Sequence, residues 1–119
     1  MAADINERCF ERLGNNIWEY ESDTVLGEDP GNVENQFKAP HILRLCIDAR
    51  VQILDNIQGC FTGQCGTVLH LDPHSVTVNV DDIGVRIFHE HTFRLGRFEQ
   101  HRRTQIPLIP DFARYVLMI

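Results

Sequence analysis

Two short stretches of this chain alternate apolar and polar residues with a period of two, and a third, apolar-rich one follows them. Val51 and Ile53 alternate with Arg50 and Gln52, and Val76, Val78 and Val80 alternate with Thr77 and Asn79. Val85-Arg86-Ile87-Phe88 follows the turn-like Asp81-Asp82-Ile83-Gly84. Side chains two positions apart share one face of a strand, so each stretch reads as a half-buried strand. Between the first two lies Gly59-Cys60-Phe61-Thr62-Gly63-Gln64-Cys65-Gly66-Thr67-Val68. Its three glycines predict a loop that needs positive φ, then a strand starting sharply at Gly66. Short strands at this spacing, with a long first loop, predict a small curled barrel of five strands over Ala49 to Leu95. Barrels of this size commonly bind a ligand and rarely perform chemistry.

The chain has 119 residues, enough for one domain that buries roughly two-thirds of the surface its unfolded form exposes. Its formal net charge of −6 excludes a protein that coats nucleic acid through bulk charge, because neutralising phosphates takes Lys and Arg. The charge is uneven. Acids dominate up to Glu34, with Glu19, Glu21, Asp23, Glu28 and Asp29 close together, whereas Arg86, Arg94, Arg97, Arg102 and Arg103 gather later with His89, His91 and His101. Such a face can bind phosphate on an acidic protein, or it can be a solvated barrel rim.

Four cysteines occur, Cys9, Cys46, Cys60 and Cys65, and the acidic N-terminus lacks the apolar core of a secretory signal. The expectation is therefore free thiols in a reducing compartment, cytoplasm or nucleus, and no membrane span. Cys60 and Cys65 precede His70 and His74, but the cysteine spacing is too wide and the gap to the histidines too short for a structural zinc knuckle. Cys46 and Cys60 are expected to fill apolar sites, with the histidines on strand exteriors. No metal or other cofactor is expected.

Around the barrel the chain divides into 1–37, an N-terminal helix and acidic loop; 38–98, the barrel; and 99–119, a C-terminal segment. Asp4 can cap a helix whose Ile5, Cys9, Phe10 and Leu13 share one side, stopped by Gly14. Trp18 and Tyr20 alternate with Glu19 and Glu21 as a short strand, and His41 to Ile47 alternates again. Thr104 to Pro110 reads as extended, because each proline disfavours helix in the residue before it. The tail Phe112 to Ile119 is apolar apart from Arg114, so the N-terminal helix or a second copy of the chain is expected to cover it.

The order of these segments resembles the barrel-bearing motor region of RecD-like, Pif-type superfamily 1B DNA helicases. The run Pro40-His41-Ile42-Leu43-Arg44-Leu45-Cys46-Ile47-Asp48-Ala49-Arg50-Val51-Gln52-Ile53-Leu54-Asp55-Asn56-Ile57, continued by Gly59, Gly63, Gly66 and Val68, looks like the family's "P…L.L..GA.VML..N…GL.NG..G.V". Arg103-Thr104-Gln105-Ile106-Pro107-Leu108-Ile109-Pro110-Asp111-Phe112-Ala113 looks like its "R.Q.PL..A.A" lead-in to a coupling motif. A second, shorter resemblance, over Val51 to Val68, is to KOW modules, which bind RNA or dock on proteins; it leaves Arg103 to Ala113 unexplained.

The helicase resemblance implies a mainly β fold, a small SH3-like five-stranded barrel with flanking pieces, that lies over single-stranded DNA. It implies contacts from Arg50, Asn56, Phe61, Thr62, Gln64, Arg86, Arg94 and Arg97. Phe61 is either a stacking platform at the loop tip or a cap on the barrel core. The departures are specific. Asp48 stands where the family prefers Gly, Gln52 where it has Met, Asp55 where it has a basic residue, and Thr62 where it has Asn. The family's Lys-Ser-Gln-Gly segment and any Gly-x-x-x-x-Gly-Lys-Ser/Thr phosphate loop are missing from the sequence, so a truncated or degenerate module without ATPase activity of its own is expected. No nucleophile–base pair marks an enzyme either; Asp81 and Asp82 are adjacent and diverge on a strand or sit in a turn. The expected partners are single-stranded DNA or, as the alternative, a protein, with self-association through the tail.

The period-two reading makes a direct prediction. Val78→Asp buries a charge in the core and unfolds the domain, whereas Asn79→Asp on the opposite face shifts the thermal midpoint by almost nothing. Melts of the two variants check it; equal sensitivity would refute the alternation.

Overall fold

The computed structural model describes residues 17–28 and 30–111. The expected helix around Asp4 to Gly14 and the tail Phe112 to Ile119 lie outside the described residues, as does any contact between them. Among the described residues the chain forms ten strands and one 3-10 turn: β1 Trp18–Glu21, β2 Asp23–Val25, the turn Val33–Gln36, β3 Ile42–Leu45, β4 Arg50–Ile53, β5 Cys65–Asp72, β6 Ser75–Val80, β7 Gly84–His89, β8 His91–Leu95, β9 His101–Gln105 and β10 Leu108–Pro110. The protein is mainly β, as its alternating stretches require. No helix among the described residues is long and apolar enough to cross a membrane.

All strand pairs are antiparallel, and they form three sheets, β1-β3, β10-β4-β5-β6-β7 and β2-β9-β8. The five-stranded sheet carries the predicted core. Val51, Ile53, Val68, Val76 and Val78 are fully buried and Val80 nearly so, joined by Phe88 from β7. Burying each such side chain stabilises the fold by roughly 1.5–3 kcal/mol. Tyr20, Leu43 and Leu45 of the β1-β3 pair belong to the same cluster, which therefore reaches well upstream of Ala49. Cys46 and Cys60 are buried and free, as expected for small apolar fillers.

The five strands are not the consecutive ones predicted between Ala49 and Leu95. β8 leaves the sheet after Glu90 and pairs with β9, and the vacated place beside β4 is taken by β10, with Leu108 opposite Ile53 and Pro110 opposite Val51. The physical reason lies in the side chains. Leu108 is fully buried and extends the apolar surface of β4, while β8 has no fully buried residue and exposes Arg94. The longer loop costs little, because closure entropy grows only with the logarithm of length. Pro110, without an N–H, is tolerated because β10 is an edge strand.

The glycines of the first loop divide into two kinds. Gly59 and Gly63 have φ of 76° and 88°, the left-handed conformations predicted for them. Gly66 is not among the positive-φ residues. It is required by crowding: a Cβ there would come within 2.6 Å of Val78 Cγ1 and 2.7 Å of the Asn79 carbonyl oxygen.

Two polar side chains expected to be solvated are buried instead. Arg103 is 3% exposed. It donates from Nε to Thr24 Oγ1 at 2.9 Å and from Nη1 to the Ala39 carbonyl at 2.9 Å, faces Glu34 at 3.4 Å, and stacks 4.8 Å above the Phe37 ring. Burial holds its pKa below the usual guanidinium value, with Glu34 opposing. His101 is also buried and accepts a hydrogen bond at Nδ1 from the Gly27 amide at 3.0 Å. Both therefore leave the basic face read from the sequence; their strand positions point inward, into the three-stranded sheet.

Gln105 completes this inner polar group. Its Nε2 donates to the carbonyls of Tyr20, Pro40 and His41 at 2.8, 3.2 and 3.3 Å, and its Oε1 accepts from the Ile106 amide at 2.9 Å. Gln105→Leu keeps the volume but removes the buried donor to the Tyr20, Pro40 and His41 carbonyls and the acceptor of the Ile106 amide, at a cost of about 1–3 kcal/mol. Urea titration of the variant measures it; a midpoint equal to that of the native chain would show that water replaces the amide.

Candidate nucleic-acid interface

The loop between β4 and β5 is built by its own side chains. Gln58, Gly59 and Gly63 reverse the chain with positive φ. Backbone bonds from Gly63 N to the Ile53 carbonyl at 2.7 Å and from Cys60 N to the Ile57 carbonyl at 2.8 Å close it. Asn56 Oδ1 accepts from both the amide and the hydroxyl of Thr62, at 2.9 and 3.2 Å. Gln64 Oε1 accepts from the Phe61 amide at 3.0 Å, and its Nε2 reaches the Asp81 carbonyl at 3.4 Å. Cys60 and Ile57 anchor the loop on the core from beneath.

The consequence is the position of Phe61. With its neighbours tied down, its ring is 71% exposed, which answers the alternative left by the sequence: Phe61 does not cap the core. Arg86 on β7 lies against the same loop, donating from Nε to the Gln58 carbonyl at 3.0 Å. The structure thus brings together Asn56, Phe61, Thr62, Gln64 and Arg86. Arg50 meets this group by way of Asp81, whose carbonyl Gln64 reaches. Its guanidinium is half-buried and gripped by Asp81, at 3.0 Å for the longer of two bonds, with Thr67 Oγ1 at 2.9 Å. The bond to Asp81 raises its pKa further. Arg50 joins β4 to the β6–β7 turn in this fold.

Arg94 and Arg97 lie elsewhere again, on β8 and the turn after it. The foot of the loop touches β8 through Asp55, whose carboxylate meets His91 Nε2 at 2.9 Å. The Asn56 amide first, and His91 with it, hold the Asp55 pKa below the ordinary carboxylate value. Beside this contact a groove of about 320 Å³ runs between β8 and the segment after the 3-10 turn, lined by Lys38 and Arg94 among others. In the turn, Arg97 sits 5.5 Å from the centre of the Phe98 ring, and Phe98 is 80% exposed. Lys38 and Phe98 are not among the contacts expected from the sequence. Phe98 did carry a signal, an aromatic residue inside the otherwise polar Gly96-Arg97-Phe98-Glu99-Gln100; Lys38 carried none, since only the fold sets it opposite β8.

Among the described residues no three His, Cys, Asp or Glu side chains converge to hold a metal. His70 meets Asp72 at 3.2 Å and His74 meets Glu90 at 2.7 Å, so the histidines after Cys60 and Cys65 are spread over separate carboxylates.

No protein-family model matches the chain, and no curated protein sequence matches it. Solved structures do. The fold superposes on a Pif1 helicase from a structure of forked-DNA unwinding by two coordinating Pif1 helicases, with a TM-score of 0.75 and 25% identity over 94% of this chain. It matches Bacteroides Pif1 bound to single-stranded DNA with a TM-score of 0.72 and 24% identity over 94% of the chain. Candida albicans Pif1 gives a TM-score of 0.68 and 19% identity over 92%. The chain spans 27%, 28% and 33% of those proteins, respectively, so the likeness is to a part of the helicase.

The loop geometry yields a prediction of its own. Asn56→Ala removes the acceptor shared by both Thr62 donors, lowers stability by about 0.5–1.5 kcal/mol, and releases the loop. Amide hydrogen exchange checks it: the Thr62 amide becomes much faster while the amides of β6 stay protected.

Proposed function

We propose that the chain is a nucleic-acid-binding module of the Pif1 helicase type, intracellular, that holds single-stranded DNA and does not hydrolyse ATP by itself. The observation that carries this reading is the exposed Phe61 ring, fixed by a hydrogen-bonded loop with Arg86 against it. A flat ring held at a loop tip offers a stacking surface to any base, and a neighbouring guanidinium offers charge to the backbone. The similarity to Bacteroides Pif1 bound to single-stranded DNA supports the choice of ligand.

Binding of this kind is local. With a net charge of −6, the protein as a whole repels a polyanion, so affinity depends on stacking and a few cations and falls as salt rises. Among the expected contacts, Asn56, Thr62 and Gln64 act by shaping the loop, and Phe61 and Arg86 by meeting the ligand. Arg50 contributes through the fold, since Asp81 holds its guanidinium.

Phe61→Ser tests the proposal. Fluorescence anisotropy with labelled oligo-dT is expected to show affinity lowered by on the order of 1–3 kcal/mol, at an unchanged melting temperature. No detectable binding of single strands by the native chain at low salt would overturn the nucleic-acid reading in favour of a protein-docking module.

A further inference from the structure

We infer that the single-strand track continues from the Phe61 loop along β8 to a second stacking platform at Phe98, with Lys38 and Arg94 taking the intervening phosphates. This rests on the nucleic-acid reading above and extends it to residues on a different sheet.

Phe98 is the most exposed large apolar side chain among the described residues, at 80% against 71% for Phe61. A polar residue would serve the turn equally well as a turn, so the ring is not explained by folding. Nor is it left on a loose tip. Gly96 and Glu99 take φ of 97° and 55°, Glu99 N donates to the Gly96 carbonyl at 3.1 Å, and Phe98 N donates to Gln100 Oε1 at 3.1 Å. Gln100 is itself packed against Gly27, where a Cβ would come within 2.8 Å of its own Cβ, and its amide lies against Gly96. The turn is thus pre-organised, which lowers the entropy lost when a ligand binds. Arg97 lies 5.5 Å from the ring centre, placing a cation at the platform for the adjoining phosphate.

The two platforms are joined by a path. Asp55, at the foot of the Phe61 loop, touches His91, the first residue of β8, and the Phe98 turn follows Leu95, the last. Four strand steps at about 3.3 Å each separate these ends by roughly 13 Å. The groove beside β8 fills this interval, with Lys38 on one side and Arg94 on the other. The carboxylate in the groove, Asp55, is already engaged by His91 and by the Asn56 amide, which tempers its repulsion of a phosphate. Glu99 adjoins the platform in sequence, so the path is cationic along its groove and mixed at its far end.

The test uses the full chain with labelled oligo-dT of twelve nucleotides, in anisotropy titrations across a salt series, with a thermal melt of every variant. Phe98→Ser is expected to weaken binding about tenfold, and Phe98→Trp to restore it, because stacking requires a ring and not a phenylalanine. Lys38→Ala combined with Arg94→Ala is expected to flatten the slope of log affinity against log salt by about 1.4, two phosphates at about 0.7 each for a single strand. If Phe61→Ser weakens binding while Phe98→Ser and the double variant match the native chain, the extended track is overturned and the Phe61 site stands. Failure of the native chain to bind overturns both. Loss of binding in Phe98→Ser accompanied by a lowered melting temperature, with no recovery in Phe98→Trp, assigns Phe98 a structural role and overturns the platform.

Discussion

The buried amide of Gln105 is the contact on which the arrangement of sheets depends. Three carbonyls, from Tyr20 at the end of β1 and from Pro40 and His41 before β3, converge on its Nε2. One residue earlier in the inward-facing series, Arg103 spends its guanidinium on Thr24, Ala39, Glu34 and the face of Phe37. Together they fasten β9 to β1, β2 and the segment leading into β3. Some of these carbonyls also have backbone partners, as His41 does in the Ser22 amide, but the side chains add the bonds that tie the segments to one another, and an unpaired buried polar group costs about as much as a lost hydrogen bond. With β9 fixed, Ile106 and Pro107 lead straight into β10, and β10 closes the free edge of β4. The Arg-x-Gln-x-Pro-Leu series that resembles a helicase motif has, in this chain, a complete structural explanation.

That arrangement also sorts the charges. Of the cations gathered late in the sequence, Arg103 is consumed inside the fold, while Arg86, Arg94 and Arg97 remain at the surface in three different settings. Further upstream, Arg50 is held by Asp81. Removing Asp81 would take away the largest of the interactions that hold this half-buried guanidinium, so the pair belongs to the fold whatever the surface binds. Many surface carboxylates are similarly engaged by neighbouring cations or histidines, Glu19 with Arg44, Glu90 with His74, Asp55 with His91. An acidic protein can in this way keep a few cations pointed at one ligand, because its carboxylates are largely occupied or face elsewhere and because charge beyond a Debye length is screened.

The fold likewise accounts for the exposed aromatic rings. Both Phe61 and Phe98 stand on short turns with positive-φ residues, and in each turn a glutamine three or two positions on accepts the phenylalanine amide, Gln64 for Phe61 and Gln100 for Phe98. The repetition of one device at two loops, in two sheets, is economical: a side-chain acceptor replaces a backbone partner and leaves the ring free of the core. Stacking suits such fixed rings, since any base presents a π face and little ordering entropy remains to be lost.

How much of this was legible beforehand follows from the range of the forces involved. Alternation between polar and apolar residues is local, so the strands β4 and β6 with their inward side chains and the left-handed Gly59 and Gly63 could be read from neighbours in the chain; β7 could be read as a strand, but the fold turns its Val85 and Ile87 outward and Phe88 inward, and the fold decided that Phe61 is exposed. The resemblance to Pif-type helicases was likewise carried by local runs, and the fold agrees with it. Pairing is not local. That β8 joins β9, that β10 takes its place beside β4, and that Gly66 is needed for close approach and not for its φ depend on which surfaces meet. The same holds for the site. Arg86, Arg94, Arg103 and Arg50 are indistinguishable as letters; strand register turned one inward, and a distant Asp81 claimed another. Lys38 faces β8 only because Gln105 and Arg103 dock its segment there. Backbone periodicity and turn chemistry act over a few residues, so strands and loops can be placed from the chain alone. Which cations stay exposed is set by the fold, because desolvation and ion pairing act between residues that lie far apart along the chain.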